Sequence, residues 1–314
     1  MLKATIAVLG GAMSPAKDEF PQGAAQAAEI GLKGLERAGT ALDAVQAAVM
    51  CLEENPIFNC GVGARLNLSG QVELDAAIMD GRIMKAGAVG ALQGFKNPVA
   101  VARKVMENTD HVLLVGQGAV NFARALGCEQ KELITQARLD EWQEKRDKLE
   151  AGLPVPGVLQ EWVKLKDWMA DDTVGVLSLD QEGNLAAATS SGGGALKLPG
   201  RVGDVALVGC GLYAENGAGG AVLTGSGEVF IRYLVAKMAV DFMKAGLGAQ
   251  QAAEETLKTV TSREPETLMA LVTLDKKGEV GGARNAESAP QAWVQEGMDG
   301  PVTEFGYLAK KEGA

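Results

Sequence analysis

Two periodicities alternate along this chain, and their order limits the fold more than any single residue does. A short apolar run, Ala4 to Leu9, ends in Gly10-Gly11 and reads as a first strand. Residues 24–38 and 41–54 are Ala-rich with helical spacing; Gly39 divides them and Thr40 is placed to cap the second. Glycine then punctuates Asn59-Cys60-Gly61-Val62-Gly63, after which Val72 to Gly81 and Ala86 to Leu92 read as strands. The spacing predicts a helix after Asn97-Pro98, a strand over His111–Val115 and a helix over Ala119–Leu126. From Thr173 the chain turns to short β runs at Val174–Leu179, Leu185–Thr189, Val205–Val208 and Ala221–Thr224. Residues 228–246 and 248–260 return to helical spacing, and Leu268–Leu274 is a strand before the turn Asp275-Lys276-Lys277-Gly278. In each half, helices flank a strand-rich middle. The strands follow one another through turns rather than alternating one for one with helices, which predicts an antiparallel sandwich with outer helices.

Residues 129–172 differ in kind. Charges are dense from Glu129 to Glu150, and Gly152-Leu153-Pro154-Val155-Pro156-Gly157 breaks any helix. The segment reads either as a solvated helix with a surface loop or as a mobile tail freed by cleavage.

With 314 residues, 47% of them hydrophobic, the chain can bury a large core in one or two domains. A formal net charge of -10 argues against nucleic acid as a partner. Cys51, Cys60, Cys128 and Cys210 show no C-x-x-C spacing, which favours a reducing, cytoplasmic setting. The Ala4–Leu9 run is too short for a secretory signal, and no run approaches the roughly 18 apolar residues of a membrane span. The single histidine, His111, removes much hydrolytic chemistry, because a multi-histidine zinc site is impossible and any triad depends on that one residue. It precedes an apolar, strand-like run and reads as structural. A hydrolase here needs a nucleophile activated without histidine, and a threonine whose own α-amino group serves as base is one solution.

Four segments bear on that chemistry. They are Asp172-Thr173-Val174-Gly175, Asn184 to Gly193, Lys197 to Asp204, and Thr224-Gly225-Ser226-Gly227-Glu228. No phosphate-loop spacing accompanies the glycines of 209–220. Taken singly, Arg201 and Asp204 read as a surface ion pair, Thr224-Gly225 as a strand end, and Asn59 as a turn residue. Taken together and in order, with Leu52 to Gly63, Glu73 to Gly81 and Lys85 to Val89, they resemble the isoaspartyl peptidase/plant-type asparaginase family from about residue 4 to about residue 275.

The resemblance implies a four-layer αββα sandwich of the N-terminal-nucleophile hydrolases, made as one precursor and cut autocatalytically between Asp172 and Thr173. An α chain of residues 1–172 and a β chain of residues 173–314 would result. Thr173 would then attack the side-chain amide of L-asparagine or the isopeptide bond of a β-aspartyl dipeptide. By position, Arg201 matches the substrate-carboxylate binder, Asp204 the α-ammonium binder, and Gly227 a backbone contact to substrate. Thr224 and the Gly225 N–H match the oxyanion-stabilising donors, Asn59 an active-site asparagine, and Ser191 a second active-site threonine whose hydroxyl would bond to Thr173. No catalytic cofactor is implied. A structural sodium ion is, held by the main-chain carbonyls of Leu52, Glu53, Asn55, Phe58, Cys60 and Val62. A homodimer of αβ units is also implied.

Several positions depart from the family's pattern. Leu9 stands where histidine is usual, and Ala12-Met13-Ser14 lacks the customary small residues. Asp172 before the nucleophile resembles the glycosylasparaginase branch, where it assists the cut. Pro265-Glu266-Thr267 replaces a glycine-rich strand, and Asn285-Ala286-Glu287-Ser288-Ala289 replaces an Asn-Thr-x-x-Met segment. A glycosylasparaginase-like hydrolase and a non-processing paralogue with a binding role are the two alternatives.

Overall fold

In this computed structural model the structure describes residues 2–11, 17–37, 39–151 and 172–309. The first half contains β1 (Thr5–Leu9), α1 (Glu19–Glu36), α2 (Ala41–Glu54), β2 (Leu74–Asp80), β3 (Lys85–Leu92), α3 (Pro98–Asn108), β4 (Leu113–Val115), α4 (Gly116–Ala125) and α5 (Gln136–Glu150). The second contains β5 (Val174–Leu179), β6 (Leu185–Ser191), β7 (Leu212–Glu215), β8 (Gly219–Gly225), α6 (Gly227–Tyr233), α7 (Val235–Lys244), α8 (Ala249–Arg263) and β9 (Met269–Asp275), then β10 (Val280–Arg284), β11 (Gln291–Gln295) and β12 (Tyr307–Leu308).

The strands form two sheets, ordered β11-β1-β5-β6-β2-β3-β4 and β12-β10-β9-β8-β7. All pairs are antiparallel except β3 with β4 and β10 with β12. Alternation within β1 shows how the layers stack. Ile6 and Val8 point to a core shared with α1, α2 and α3, while Ala7 and Leu9 point to a core shared with β8 and β9 of the second sheet. The outer face of the second sheet, with Ala221, Leu223 and Leu271, is covered by Ala236, Val240, Ala252 and Leu257 of α7 and α8. The order is therefore helix, sheet, sheet, helix, the expected αββα sandwich. Strands covered on both faces lose the polar alternation of a solvated sheet. This is why β2, β5, β6, β8 and β9 are buried along their whole length.

Sheet order also intertwines the two halves. β1 pairs on one side with β11 and on the other with β5, with Leu9 opposite Gln291 and Gly175. Thr40 caps α2 as expected: its side chain accepts the Asp43 N–H at 3.2 Å, and the Asp43 carboxylate accepts the Thr40 N–H at 3.0 Å.

Three expectations are corrected. Val205–Val208 is not a strand. Asp204–Ala206 forms a 3-10 turn, with the Asp204 carbonyl accepting from Leu207 at 2.9 Å and from Gly211 at 3.2 Å, and burial of Val205 rather than pairing explains the apolar run. The helix expected over 228–246 breaks at Leu234, whose φ of 51° is left-handed. The break lets α7 restart so that the Ala236 and Lys237 N–H groups donate to the carbonyls of Cys210 and Gly209 at 3.1 and 2.9 Å. His111 lies before β4 rather than in it, and it is exposed.

Candidate active site

Thr173 is the last residue before β5, whose pairing with β6 sets Val174 opposite Ser190. That register brings Thr173 to the end of β6, where Ser191 sits. Gly175 of β5 faces Val222 of β8 so closely that a Cβ there would lie 2.7 Å from the valine Cβ. The close approach of β5 and β8 lets the start of one reach the end of the other. The Thr173 N–H donates to Thr224 Oγ1 at 3.0 Å, and both residues are fully buried. Among the described residues the buried Thr173 hydroxyl has no hydrogen-bond partner. A buried hydroxyl forgoes roughly 1–3 kcal/mol when it lacks a partner, so one left bare where strands from two sheets meet is a candidate reacting group rather than a packing residue.

Beyond Thr224 the second sheet turns sharply. Gly225 sits at φ +135°, where a side chain would run into the Leu268 carbonyl. Gly227 opens α6, and a Cβ there would strike Asp204 Oδ1 and lie 3.2 Å from Arg201 Nη2. Gly227 thus keeps bare backbone against the Arg201 and Asp204 side chains. Asp204 is 1% exposed. The pair is accordingly no surface turn, which corrects the reading of these two residues taken singly.

Arg201 carries a partner that sequence reasoning did not assign. Its Nε and Nη2 donate to Glu228 Oε1 at 3.0 and 2.8 Å. Glu228 lies next to Gly227 in the same motif, but nothing in its spacing singles it out.

The loop bearing Arg201 is fixed by β2 and the residue before it. Lys197 Nζ donates to the Glu73 carbonyl at 3.0 Å, Glu73 Oε2 accepts the Gly200 N–H at 3.0 Å, and Asp75 Oδ2 accepts the Gly203 N–H at 2.9 Å. Glu73 and Asp75 are buried. Their position inside an apolar strand run was a legible sign that they bond something, since buried carboxylates need partners.

Asn59 closes the ring. Its Oδ1 accepts the Arg65 N–H at 2.9 Å, its Nδ2 donates to the Gly193 carbonyl at 2.8 Å, and its own carbonyl accepts the Gly192 N–H at 2.7 Å. Asn59 therefore shapes the turn after β6. Ser191 does not make the expected bond to Thr173 in the uncut chain. Its Oγ accepts the Gly193 N–H at 2.9 Å, and the single amide hydrogen of Thr173 goes to Thr224.

Leu52 to Val62 winds back on the C-terminal end of α2, where helix carbonyls concentrate negative potential. The carbonyls of Leu52, Asn55 and Cys60 accept from Asn55, Phe58 and Gly63 at 3.2, 3.2 and 3.0 Å. Gly61, at φ +49°, and Gly63 lie directly against the carbonyls of Glu53 and Phe58, leaving no room for a Cβ. The Glu53 side chain is used elsewhere, accepting from Val99 N–H at 3.1 Å and Asn97 Nδ2 at 3.2 Å at the start of α3. Among the described residues no group of three His, Cys, Asp or Glu side chains converges as a metal site. The loop's donors are main-chain oxygens, which suit a hard cation.

A family model described as asparaginase matches residues 3–303. The chain belongs to the isoaspartyl peptidase/plant-type asparaginase family. Relatives of that family include a plant-type L-asparaginase of Thermococcus kodakarensis, 46% identical over 308 residues that cover 95% of this chain and 98% of the relative. An isoaspartyl peptidase of Salmonella typhimurium is 40% identical over 96% of this chain and 98% of its own length. An isoaspartyl peptidase/L-asparaginase of Bos taurus is 36% identical over 95% and 94%. The family is one of N-terminal-nucleophile hydrolases, and the sandwich described above is its fold. No helix among the described residues is long and apolar enough to cross a membrane.

Proposed function

We propose that this chain cuts itself between Asp172 and Thr173 and that the freed Thr173 hydrolyses the side-chain amide of L-asparagine and the β-aspartyl bond of isoaspartyl dipeptides. The observation that carries the reading is the buried, unbonded Thr173 hydroxyl beside an N–H fixed on Thr224 at 3.0 Å. In the cut, Thr173 Oγ adds to the Asp172 carbonyl carbon and the C–N bond breaks. The hydroxyl proton ends on the departing amine, and water hydrolyses the resulting ester. The new α-amine, with an ordinary pKa of about 8, can then take the Thr173 hydroxyl proton directly or through water.

The attack on substrate repeats this chemistry. The Thr173 oxygen adds to the side-chain carbonyl, ammonia or an amino acid leaves with the proton, and water releases aspartate. Thr224 Oγ1 and the Gly225 N–H would serve as the donors to the developing oxyanion. Arg201 and Asp204 offer one cation and one anion to the α-carboxylate and α-ammonium of an amino acid, with the bare backbone of Gly227 between them.

Leu52 to Val62 would hold a sodium ion through its carbonyls, steadying the turn that carries Asn59. All four cysteines are free thiols, which suits the reducing cytoplasm. The excess of acidic residues supports a small-molecule partner rather than nucleic acid. A homodimer of αβ units completes the reading. Thr173→Ala tests it: the variant should stay uncut and leave both L-asparagine and a β-aspartyl dipeptide intact. Hydrolysis by that variant would remove Thr173 from the reaction.

A further inference from the structure

The scissile peptide joins two residues whose anchors lie in different parts of the molecule. Its nitrogen side is held by Thr224 of the second sheet. On its acyl side, Asp172 is 5% exposed and its Oδ2 lies 2.9 Å from Arg65 Nη2. Arg65 is itself placed by its backbone, whose N–H donates to Asn59 Oδ1. Its Nε faces Glu141 Oε1 of α5 at 3.3 Å.

Glu141 gathers further cations, Arg138 Nη1 at 2.8 Å and Lys145 Nζ at 2.9 Å. Burial opposes the charge on Glu141, but Arg65, Lys145 and Arg138 outweigh it and hold the carboxyl down at about 2. α5 is seated on the same loop. Arg138 Nε donates to the Gly63 carbonyl at 2.7 Å, and Trp142 Nε1 donates to the Asn67 carbonyl at 2.9 Å. The Trp142 ring lies over Gly70, beside Leu66, Val72 and Leu133.

From this geometry we propose that Arg65, backed by Glu141 of α5, is a positioning residue for self-cleavage: it fixes the Asp172 carboxylate, and with it the carbonyl that Thr173 attacks. The proposal rests on the self-cutting reading given above. An intramolecular attack gains its rate from holding the reacting atoms roughly 3–3.5 Å apart and aligned, so a residue that pins the acyl side acts on the rate without touching the nucleophile. A bond clamped on one side only would let the carbonyl plane swing away from Thr173 Oγ. Arg65 uses a buried ion pair here, an arrangement poor at adding net stability but good at selecting one geometry. Because α5 lies in the segment on the N-terminal side of the cut, docking of that segment and maturation become linked.

The test follows the loss of full-length mass and the appearance of a chain beginning at Thr173 in freshly purified protein at neutral pH. Arg65→Met, which keeps the apolar stem, should slow the cut about tenfold or more. Arg65→Lys should restore part of the rate, and Glu141→Gln should slow it by about threefold. In an Asp172→Asn background, Arg65→Met should add no further slowing. Equal rates for wild type and Arg65→Met overturn the proposal, as does an undiminished effect of Arg65→Met in the Asp172→Asn background, which would make Arg65 a general stabiliser. Should Arg65→Met not accumulate folded, Glu141→Gln decides alone, an unchanged rate counting against. A wild-type chain that never cuts defeats the self-cutting reading itself, whereas a wild type that cuts alongside indifferent variants defeats only the role of Arg65.

Discussion

On the C-terminal side of the Asp172–Thr173 bond the chain runs straight into β5, buried on both faces between β1 and β6 and backed by β8. On the N-terminal side it is held by charges, with Arg65 on Asp172 and Glu141 behind it, and by one tryptophan laid on a glycine. The first kind of hold comes from apolar area, involves no titrating group, and does not depend on the covalent bond. The second depends on ionisation and screening. A chain that cuts one bond and keeps its shape would benefit from this asymmetry. On the proposed reading, the side that would carry the nucleophile is fixed by the core, and the side across the bond is fixed by contacts that can be released. The sheet order adds that the two halves would stay together after such a cut, because β1 of the first half lies between β5 and β11 of the second.

The comparison can be strained at several points. The largest effect should come from Thr224→Val, which removes the acceptor of the Thr173 N–H. Maturation and turnover should both fall by about 10²–10³ in rate assays, with folding retained. Leu177→Ala opens the core between the sheets and should cost about 2–5 kcal/mol in denaturant unfolding of uncut protein. That loss should be global, whereas Trp142→Ala should raise hydrogen exchange in 136–150 while leaving the main unfolding midpoint nearly in place.

Acid should separate the two regions further. Because the folded-state pKa of Glu141 is depressed from its ordinary 4.5 to about 2, its contribution is present above pH 4.5 and is lost as pH falls towards 2. Exchange protection across α5 should therefore fall in that window before β5 and β6 lose theirs; simultaneous loss would show that α5 is held by the same core as the sheets. The smallest effect should come from Ser191→Thr. It keeps the hydroxyl that accepts from Gly193, and turnover should stay within about threefold of wild type.

Much of the sandwich was legible because its signals are local. The run Val174–Leu179 is β5 to the residue, and Thr40 with Asp43 caps α2 as the sequence suggests. The break at Leu234 was hidden, since nothing in a leucine marks left-handed backbone, and tertiary hydrogen bonds to Gly209 and Cys210 impose it. Val205 to Val208 misled because Val205 and Ala206 are apolar for burial in a 3-10 turn, and only Val208 pairs, in a single bridge to Leu212. Within the site, Thr173, Thr224, Arg201, Asp204 and Gly227 were visible as one ordered set of motifs. The partners that orient them were less so: Glu228 on Arg201 and Arg65 on Asp172 are long-range contacts with no periodic trace, and Glu73 and Asp75 stood out only as carboxylates in an apolar run, with nothing to name the 197–204 loop they hold. α5 offered the least signal, because its charges cover every face and its docking rests on single residues such as Trp142 and Arg138.

The most direct test of the account is the intact mass of the purified protein after prolonged incubation at neutral pH, beside Thr173→Ala treated alike. The account predicts two chains whose masses sum to the full chain plus one water, the second beginning at Thr173, held together until denatured. It also predicts a single uncut mass for the variant. A wild type that remains one chain, or that is cut at a different bond, would contradict it.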